Sequence, residues 1–361
     1  MSRLHNLFTL PKRFADRAED VASTPRDVVH RESRWRLLRY RVPGEVEHRR
    51  PVLIVPSLIN RHYVLDLLPD RSFVGYLAEQ GHEVYMLDWG GERGDEDRYL
   101  GLDEICDDFV RRARRAACRR SDADRLHVLG YCLGGTITAI HAARFPDAFA
   151  SHVALAAPVA FDDDGKLTTW MNNPTFDLDS LVDATRNVPW PLMQFAFHML
   201  QPTMNLKKMT YLWEKADDED FLDGFAALEI WGNDNVSFPG EAFRGYIRRL
   251  YRENRLIRGE FALSGWPISL SDIDHPTLVI SFEHDHIVPG ESAAPLADAV
   301  GTDEVEHLHL PGGHVTSVTS TSAKEKLWPR ISEWFARRNA EQNAGAAETD
   351  RETERISAAA G

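Results

Sequence analysis

Two rhythms of apolar and polar positions alternate along this chain. Continuous apolar runs of strand length occur at "WRLLRYRV" (35–42), "PVLIVPSLI" (51–59), "HEVYMLDWG" (82–90), "RLHVLGYCLGG" (125–135) and "ASHVALAAPV" (150–159). Helical spacing separates them. "RSFVGYLAEQG" (71–81) ends at Gly81, a C-terminal stop. "GLDEICDDFVRRARRAAC" (101–118) carries acids early and arginines late, as the helix dipole favours, and "TITAIHAARFP" (136–146) follows the fourth run.

Strands alternating with helices predict a mostly parallel sheet with helices on both faces. The alternation stops over 160–270, where aromatics, methionines and prolines stand in mostly helical text. It resumes with "HPTLVISFEHD" (275–285), a helix near 291–300, "EVEHLHLPGGH" (304–314) and a last helix near 322–339. The chain therefore divides into a core in two parts, 36–159 and 271–339, and an insertion at 160–270 that should cap the active site. Residues 1–35 are polar and weakly periodic and read as an N-terminal extension, and 340–361 has the small, polar composition of a disordered tail. No internal repeat is visible.

Composition narrows this picture. With 361 residues, 43% of them hydrophobic and 27% charged, the chain can bury a sizeable core. A formal charge of −14 argues against general nucleic-acid binding, though a local basic pocket for a phosphorylated carrier is compatible with it. The basic run "RRARRAACRR" (111–120) reads as a solvated helix face. No apolar run approaches the roughly 20 residues of a transmembrane helix. The N-terminus "MSRLHNLFTLPKRF" lacks the apolar stretch and cleavage site of a secretory signal, so a cytoplasmic location is expected. Cys106, Cys118 and Cys132 have neither metal-ligand spacing nor an even disulfide framework, which suits free thiols in a reducing compartment. Cys106 and Cys118 fall in a helical pattern as packing residues, and no metal is expected.

Cys132 stands differently. "GYCLGG" (130–135) repeats the G-x-S-x-G pattern of a nucleophile elbow with cysteine in the serine position, after an apolar strand and before a helix. Partners in such a site follow in the order acid, then histidine. Asp285 ends a strand and opens the loop "DHIVP", and His314 lies in "PGGHVTS" just beyond the next strand. His284 and His286 flank Asp285 but should turn away, and Asp234 and Asp274 read as structural or solvent-facing loop acids. Two backbone amides are needed for a developing oxyanion. They are expected from Leu133, next to the nucleophile, and from Ile59 in the loop "PSLINRHY" (56–63).

At these residues the chain resembles the polyhydroxyalkanoate synthases, especially the short catalytic subunits of the two-subunit type. The resemblance spans about 35–338. It is carried by "PSLINRHYVLDLLPDRS" (56–72), "VYMLDWG" (84–90), "GYCLGG" (130–135), "WGNDNVSFPGEAFRGYIRRLYRENRLIRGEF" (231–261), "DHIVP" (285–289) and "GGH" (312–314). It implies an α/β-hydrolase fold with a largely helical cap insertion and a catalytic set of Cys132, Asp285 and His314, with the Leu133 and Ile59 amides as oxyanion donors. It implies polymerisation of (R)-3-hydroxyacyl-CoA into polyester with release of CoA and no further cofactor. Implied partners are the growing polyester, a separately encoded helper subunit and further copies of the chain, at the surface of polyester granules. The chain departs from the family after His314, where it reads "VTSVTSTSAK" in place of an early glycine, at Thr316 and Ser317.

Cysteine suits that chemistry. Thiolate attack on a thioester exchanges one thioester for another, so the acyl-enzyme stays activated for a hydroxyl. Serine would form an oxoester and discard most of that activation. Two alternatives remain open on the same residues: a thiol-dependent hydrolase, either thioesterase or polyester depolymerase, and a non-catalytic granule-associated protein.

Overall fold

The computed structural model describes residues 3–91 and 94–341, so the expected tail lies outside the described residues from 342 onward. Ten strands are present among these: β1 Arg26–Glu32, β2 Trp35–Tyr40, β3 Val52–Val55, β4 Val84–Asp88, β5 Leu126–Tyr131, β6 Phe149–Leu155, β7 Phe261–Leu263, β8 Trp266–Ile268, β9 Thr277–Phe282 and β10 Val305–Leu310. Eight form one sheet in the order β1-β2-β4-β3-β5-β6-β9-β10. Pairing is antiparallel for β1/β2 and β2/β4 and parallel from β4 to β10.

The strand order explains the hydrophobic pattern. Every residue of β3, β4, β5, β6 and β9 is buried, because helices cover both faces of these inner strands. Edge strands β1 and β10 have only half-buried and exposed positions instead. Pro51 and Pro56 bracket β3 and hold it to four residues, since neither can donate to a ladder. The chain lays β4 on one side of β3 and β5 on the other, and loops leaving the C-terminal ends of β3 and β5 open at this switch point, where α/β folds build their sites.

The first 35 residues, set apart above as an extension, contribute β1 to the sheet. Its ladder with β2 runs from Arg26 opposite Tyr40 to Glu32 opposite Trp35, with Ser33 turning the chain at φ 49°. An amphipathic edge strand with one solvated face carries too few apolar residues to stand out in sequence. Before it, helices Arg3–Phe8 and Leu10–Asp20 lie against the insertion, where Arg13 pairs with Asp223 at 2.8 Å and Arg3 with Asp217 at 2.7 Å.

The 160–270 segment is mostly helical, with helices Lys166–Met171, Leu178–Thr185, Trp190–Leu200, Met204–Glu214, Glu219–Asn233 and Gly240–Gly245 and a π-helical turn Tyr246–Arg252. It ends in the hairpin β7/β8, which periodicity did not reveal. Arg144, on a helix of the core, lies over the Trp266 ring of this hairpin at 4.4 Å. No described helix is long and apolar enough to cross a membrane.

Five of the buried histidines lie in the core away from the Cys132 cavity and the Ile59 turn. Burial holds His82, His127, His141 and His152 near pKa 3 and His275 near 4, so all remain neutral in the folded state. Hydrogen bonds anchor the rings: His127 meets Ser151 at 2.8 Å and Asn339 at 2.9 Å, and His141 donates to the Cys106 carbonyl at 2.7 Å. Because their folded pKa values lie below the unfolded value, the unfolded chain binds more protons, and stability is lost as pH falls below about 6.5. Each histidine is expected to remove about 1 kcal/mol between pH 7 and 5.5. Urea unfolding at the two pH values checks this; an unchanged midpoint would contradict it.

Candidate active site

Cys132 sits where β5 passes into the helix Leu133–Arg144, with φ 55° and ψ −131°. A non-glycine residue in this region is strained and persists only where its surroundings enforce it. Here the Cys132 amide donates to the Leu155 carbonyl of β6 at 2.9 Å. Packing of the helix start against β3 makes the glycines necessary. A Cβ on Gly134 would lie 2.1 Å from the Val55 carbonyl oxygen, and one on Gly130 would lie 2.4 Å from the Gly135 Cα. The result is a thiol 8% exposed at the floor of a cavity.

Asp285 and His314 arrive from the far side of the sheet, on the loops after β9 and β10. The His314 Nδ1 donates to Asp285 Oδ2 at 2.6 Å, and both side chains are buried. The other carboxylate oxygen of Asp285 accepts from the amides of Ile287 at 2.9 Å and Val288 at 2.8 Å, which fixes its orientation. Cys132 lies near the same ring and lines one cavity with it. Burial alone would discharge this imidazole. The neighbouring Asp285 and Cys132 outweigh it and raise the His314 pKa from 6.5 to about 10. The arrangement can therefore hold an imidazolium beside a thiol, with the cation oriented by a carboxylate.

Leu133 opens the helix, where the first amides have no intrahelical acceptor and the helix dipole favours negative charge. Ile59 lies in the turn after β3 and lines the same cavity as Cys132 and Leu133. The four side chains set aside in the sequence fall elsewhere. His284 and His286 are exposed, and Asp274 is exposed beside His275 at 3.9 Å. Asp234 takes part in an ion pair with Arg61 at 3.1 Å. Cys106 and Cys118 are buried packing residues whose thiol pKa values burial pushes upward. Arg111 and Arg112 of the basic run pair with Asp107 and Glu32, and both are at least partly solvated.

Several site residues carried no sequence signal. Tyr131, the variable position of the elbow, stacks on the His314 ring at 5.3 Å and 24° and donates to the His314 carbonyl at 3.1 Å. Tyr246 and Tyr251, whose rings meet edge to face at 5.4 Å in the π-helical turn, line the cavity with Cys132. The departure after His314 leads directly into a short helix, Thr316–Thr319, in which Ser317 donates its amide to the Gly313 carbonyl at 3.1 Å.

The cavity has a volume of about 420 Å³ and its walls are mainly apolar. Most of its lining comes from the 160–270 segment, including Leu167, Phe176, Trp190, Met193, Phe197 and Trp231. No group of three or more His, Cys, Asp or Glu side chains among the described residues is arranged to hold a metal ion.

A profile of the alpha/beta hydrolase fold matches residues 50–320, and one of the poly-beta-hydroxybutyrate polymerase (PhaC) N-terminus matches residues 9–77. The chain is 36% identical over 348 residues to the poly(3-hydroxyalkanoate) polymerase subunit PhaC of Haloferax mediterranei, covering 94% of this chain and 70% of that one. The subunit of the same name from Thiocystis violacea is 31% identical over 325 residues, covering 89% of this chain and 91% of its own. Among solved structures, a putative non-heme bromoperoxidase from Mycobacterium tuberculosis aligns with TM-score 0.53 at 16% identity, over 86% of this chain and 98% of that chain. A thermophilic esterase from Thermogutta terrifontis aligns with TM-score 0.53 at 15% identity, over 87% and 99%. These two likenesses speak for the fold alone.

Proposed function

The chain belongs to the poly(3-hydroxyalkanoate) polymerase (PhaC) family on the α/β-hydrolase fold, and from that membership we propose that it polymerises (R)-3-hydroxyacyl-CoA through an acyl-cysteine at Cys132. The observation that carries the mechanism is the buried thiol beside an oriented, cation-favouring imidazole on the floor of an apolar, capped cavity.

Cys132, its proton held by His314, attacks the thioester carbonyl carbon through Sγ, and the carbonyl oxygen becomes an oxyanion facing the Leu133 and Ile59 amides. Collapse breaks the bond to the CoA sulfur, which leaves with the proton from the His314 imidazolium. The hydroxyl of a second acyl chain then attacks the Cys132 thioester carbonyl while neutral His314 takes the hydroxyl proton. The Cys132–acyl bond breaks, an ester bond forms, and the thiolate–imidazolium pair returns. Asp285 orients the imidazole and stabilises its cationic form without itself accepting the proton. CoA enters as part of the substrate and departs as thiol, so the cycle balances without a further cofactor.

Water competes with the hydroxyl for the acyl-enzyme, so synthesis needs enclosure. The insertion supports this reading because it supplies the apolar roof. A separate helper subunit, a homo-oligomeric assembly and residence at the polyester surface belong to the same proposal; the relatives' designation as a polymerase subunit supports the first of these.

Incubation with 3-hydroxybutyryl-CoA, following free CoA and acyl product with and without a candidate helper, tests the proposal. Polymer accompanying CoA release is expected. Stoichiometric free hydroxy acid without polymer under both conditions would instead establish a thiol-dependent hydrolase.

A further inference from the structure

The turn that carries Ile59 is shared between core and cap. Leu58, immediately before Ile59, is fully buried in the core. Four residues later the His62 Nδ1 lies 3.3 Å from Asp88 Oδ1 at the end of β4, and Asp88 is fixed in turn by Arg36 Nε at 2.8 Å and the Gly90 amide at 2.9 Å. The side chains between and beside these anchors face the other way. Asn60 Nδ2 donates to Asn235 Oδ1 at 2.9 Å, Arg61 Nε to Asp234 Oδ1 at 3.1 Å, and Tyr63 OH to Asp234 Oδ2 at 2.7 Å. Trp231 Nε1 returns a bond to the Arg61 carbonyl at 3.0 Å.

All the cap partners lie in 231–235, where helix Glu219–Asn233 ends, and Trp231, Gly232, Asn233 and Asn235 of this segment line the cavity. One five-residue segment thus supplies a cavity wall and, through Trp231, Asp234 and Asn235, clamps the turn. Asp234 is the hub, because its two carboxylate oxygens take donors from two residues of the turn. Burial and the bond to Asp234 keep the Tyr63 phenol protonated, so it stays a donor.

We propose that Asp234 is a positioning residue that holds the Ile59 turn in its oxyanion-binding arrangement while the cap is seated. The inference rests on the acyl-transfer reading, in which Ile59 supplies an oxyanion amide. Cap opening, by releasing Asp234 from Arg61 and Tyr63, disarms the acylation site when water enters. Asp234 reaches no reacting atom; it acts through the peptide that Leu58 and Asn60 hold between them. A displacement of about 1 Å in such a peptide costs on the order of 10²-fold in rate.

The test compares two reactions of Cys132 in the full chain. Single-turnover CoA release from 3-hydroxybutyryl-CoA passes through an oxyanion, whereas alkylation by iodoacetamide is displacement at a saturated carbon and needs none. Asp234→Ala is expected to slow acylation by about 10- to 100-fold while alkylation stays within about twofold. Asp234→Asn, which keeps one acceptor oxygen, should fall between wild type and Asp234→Ala. Tyr63→Phe should move in the same direction by a smaller factor, and it decides the matter if Asp234→Ala does not fold. Unchanged acylation in both variants overturns the proposal, as does a parallel fall of acylation and alkylation, which marks a purely structural residue. Wild-type protein that is acylated yet releases only hydroxy acid defeats the polymerase reading and leaves the Asp234 comparison intact.

Discussion

Cys132→Ser is expected to lower CoA release from 3-hydroxyacyl-CoA by about 10⁴-fold with the fold preserved, since nucleophile replacements in such triads cost losses of that order. The site is arranged for a thiol. His314, lifted to about pKa 10 beside Asp285 and Cys132, is cationic at neutral pH when paired with a thiolate. A serine hydroxyl cannot supply that partner anion, so the proton transfer that begins the reaction loses its driving force. Even an acylated serine would hold an oxoester, and transfer to a hydroxyl would no longer run downhill from a thioester. Stopped-flow or discontinuous CoA detection, with circular dichroism to verify the fold, reads the effect. Residual turnover within tenfold of wild type would show that Cys132 is not the nucleophile.

The second large effect is expected at His314. His314→Gln should reduce acylation by about 10³-fold or more, because both the proton acceptor and the acid for the departing CoA sulfur are removed. Adding it to Cys132→Ser should cost little further, since the two side chains act as one unit. Asp285→Asn separates orientation from charge. Asparagine preserves the shape beside His314 but withdraws the carboxylate that helps hold its pKa up, so the imidazolium should lose its proton at lower pH. The high-pH limb of the acylation profile is then expected to move downward. A profile coincident with wild type would remove Asp285 from the catalytic set.

How much of this was legible in the sequence depended on whether a residue's role is local. The elbow is local: Gly130 and Gly134 are demanded by contacts that any side chain would violate, and Cys132 is bracketed directly by an apolar strand and a helix. Asp285 and His314 were legible because each lies just beyond a strand that the pattern marks, continuously apolar before Asp285 and alternating before His314. β1 and the hairpin β7/β8 were not legible, because their half-exposed or very short ladders carry little periodic signal. Tyr131, Tyr246 and Tyr251 look like ordinary core aromatics until the chain brings them to the imidazole and the cavity.

Asp234 shows the boundary most clearly. In sequence it is one loop acid among several, 171 residues from Tyr63. Only the folded chain places it against Arg61 and Tyr63. The sequence by itself determined the sheet rhythm, the inserted cap and the order cysteine, acid, histidine, since these follow from side-chain period and backbone sterics over a few residues. The tertiary structure alone decided which polar groups pair across the cap and core and how far His314 is held cationic. Those outcomes depend on through-space distance and burial, and neither is encoded in the spacing of residues along the chain.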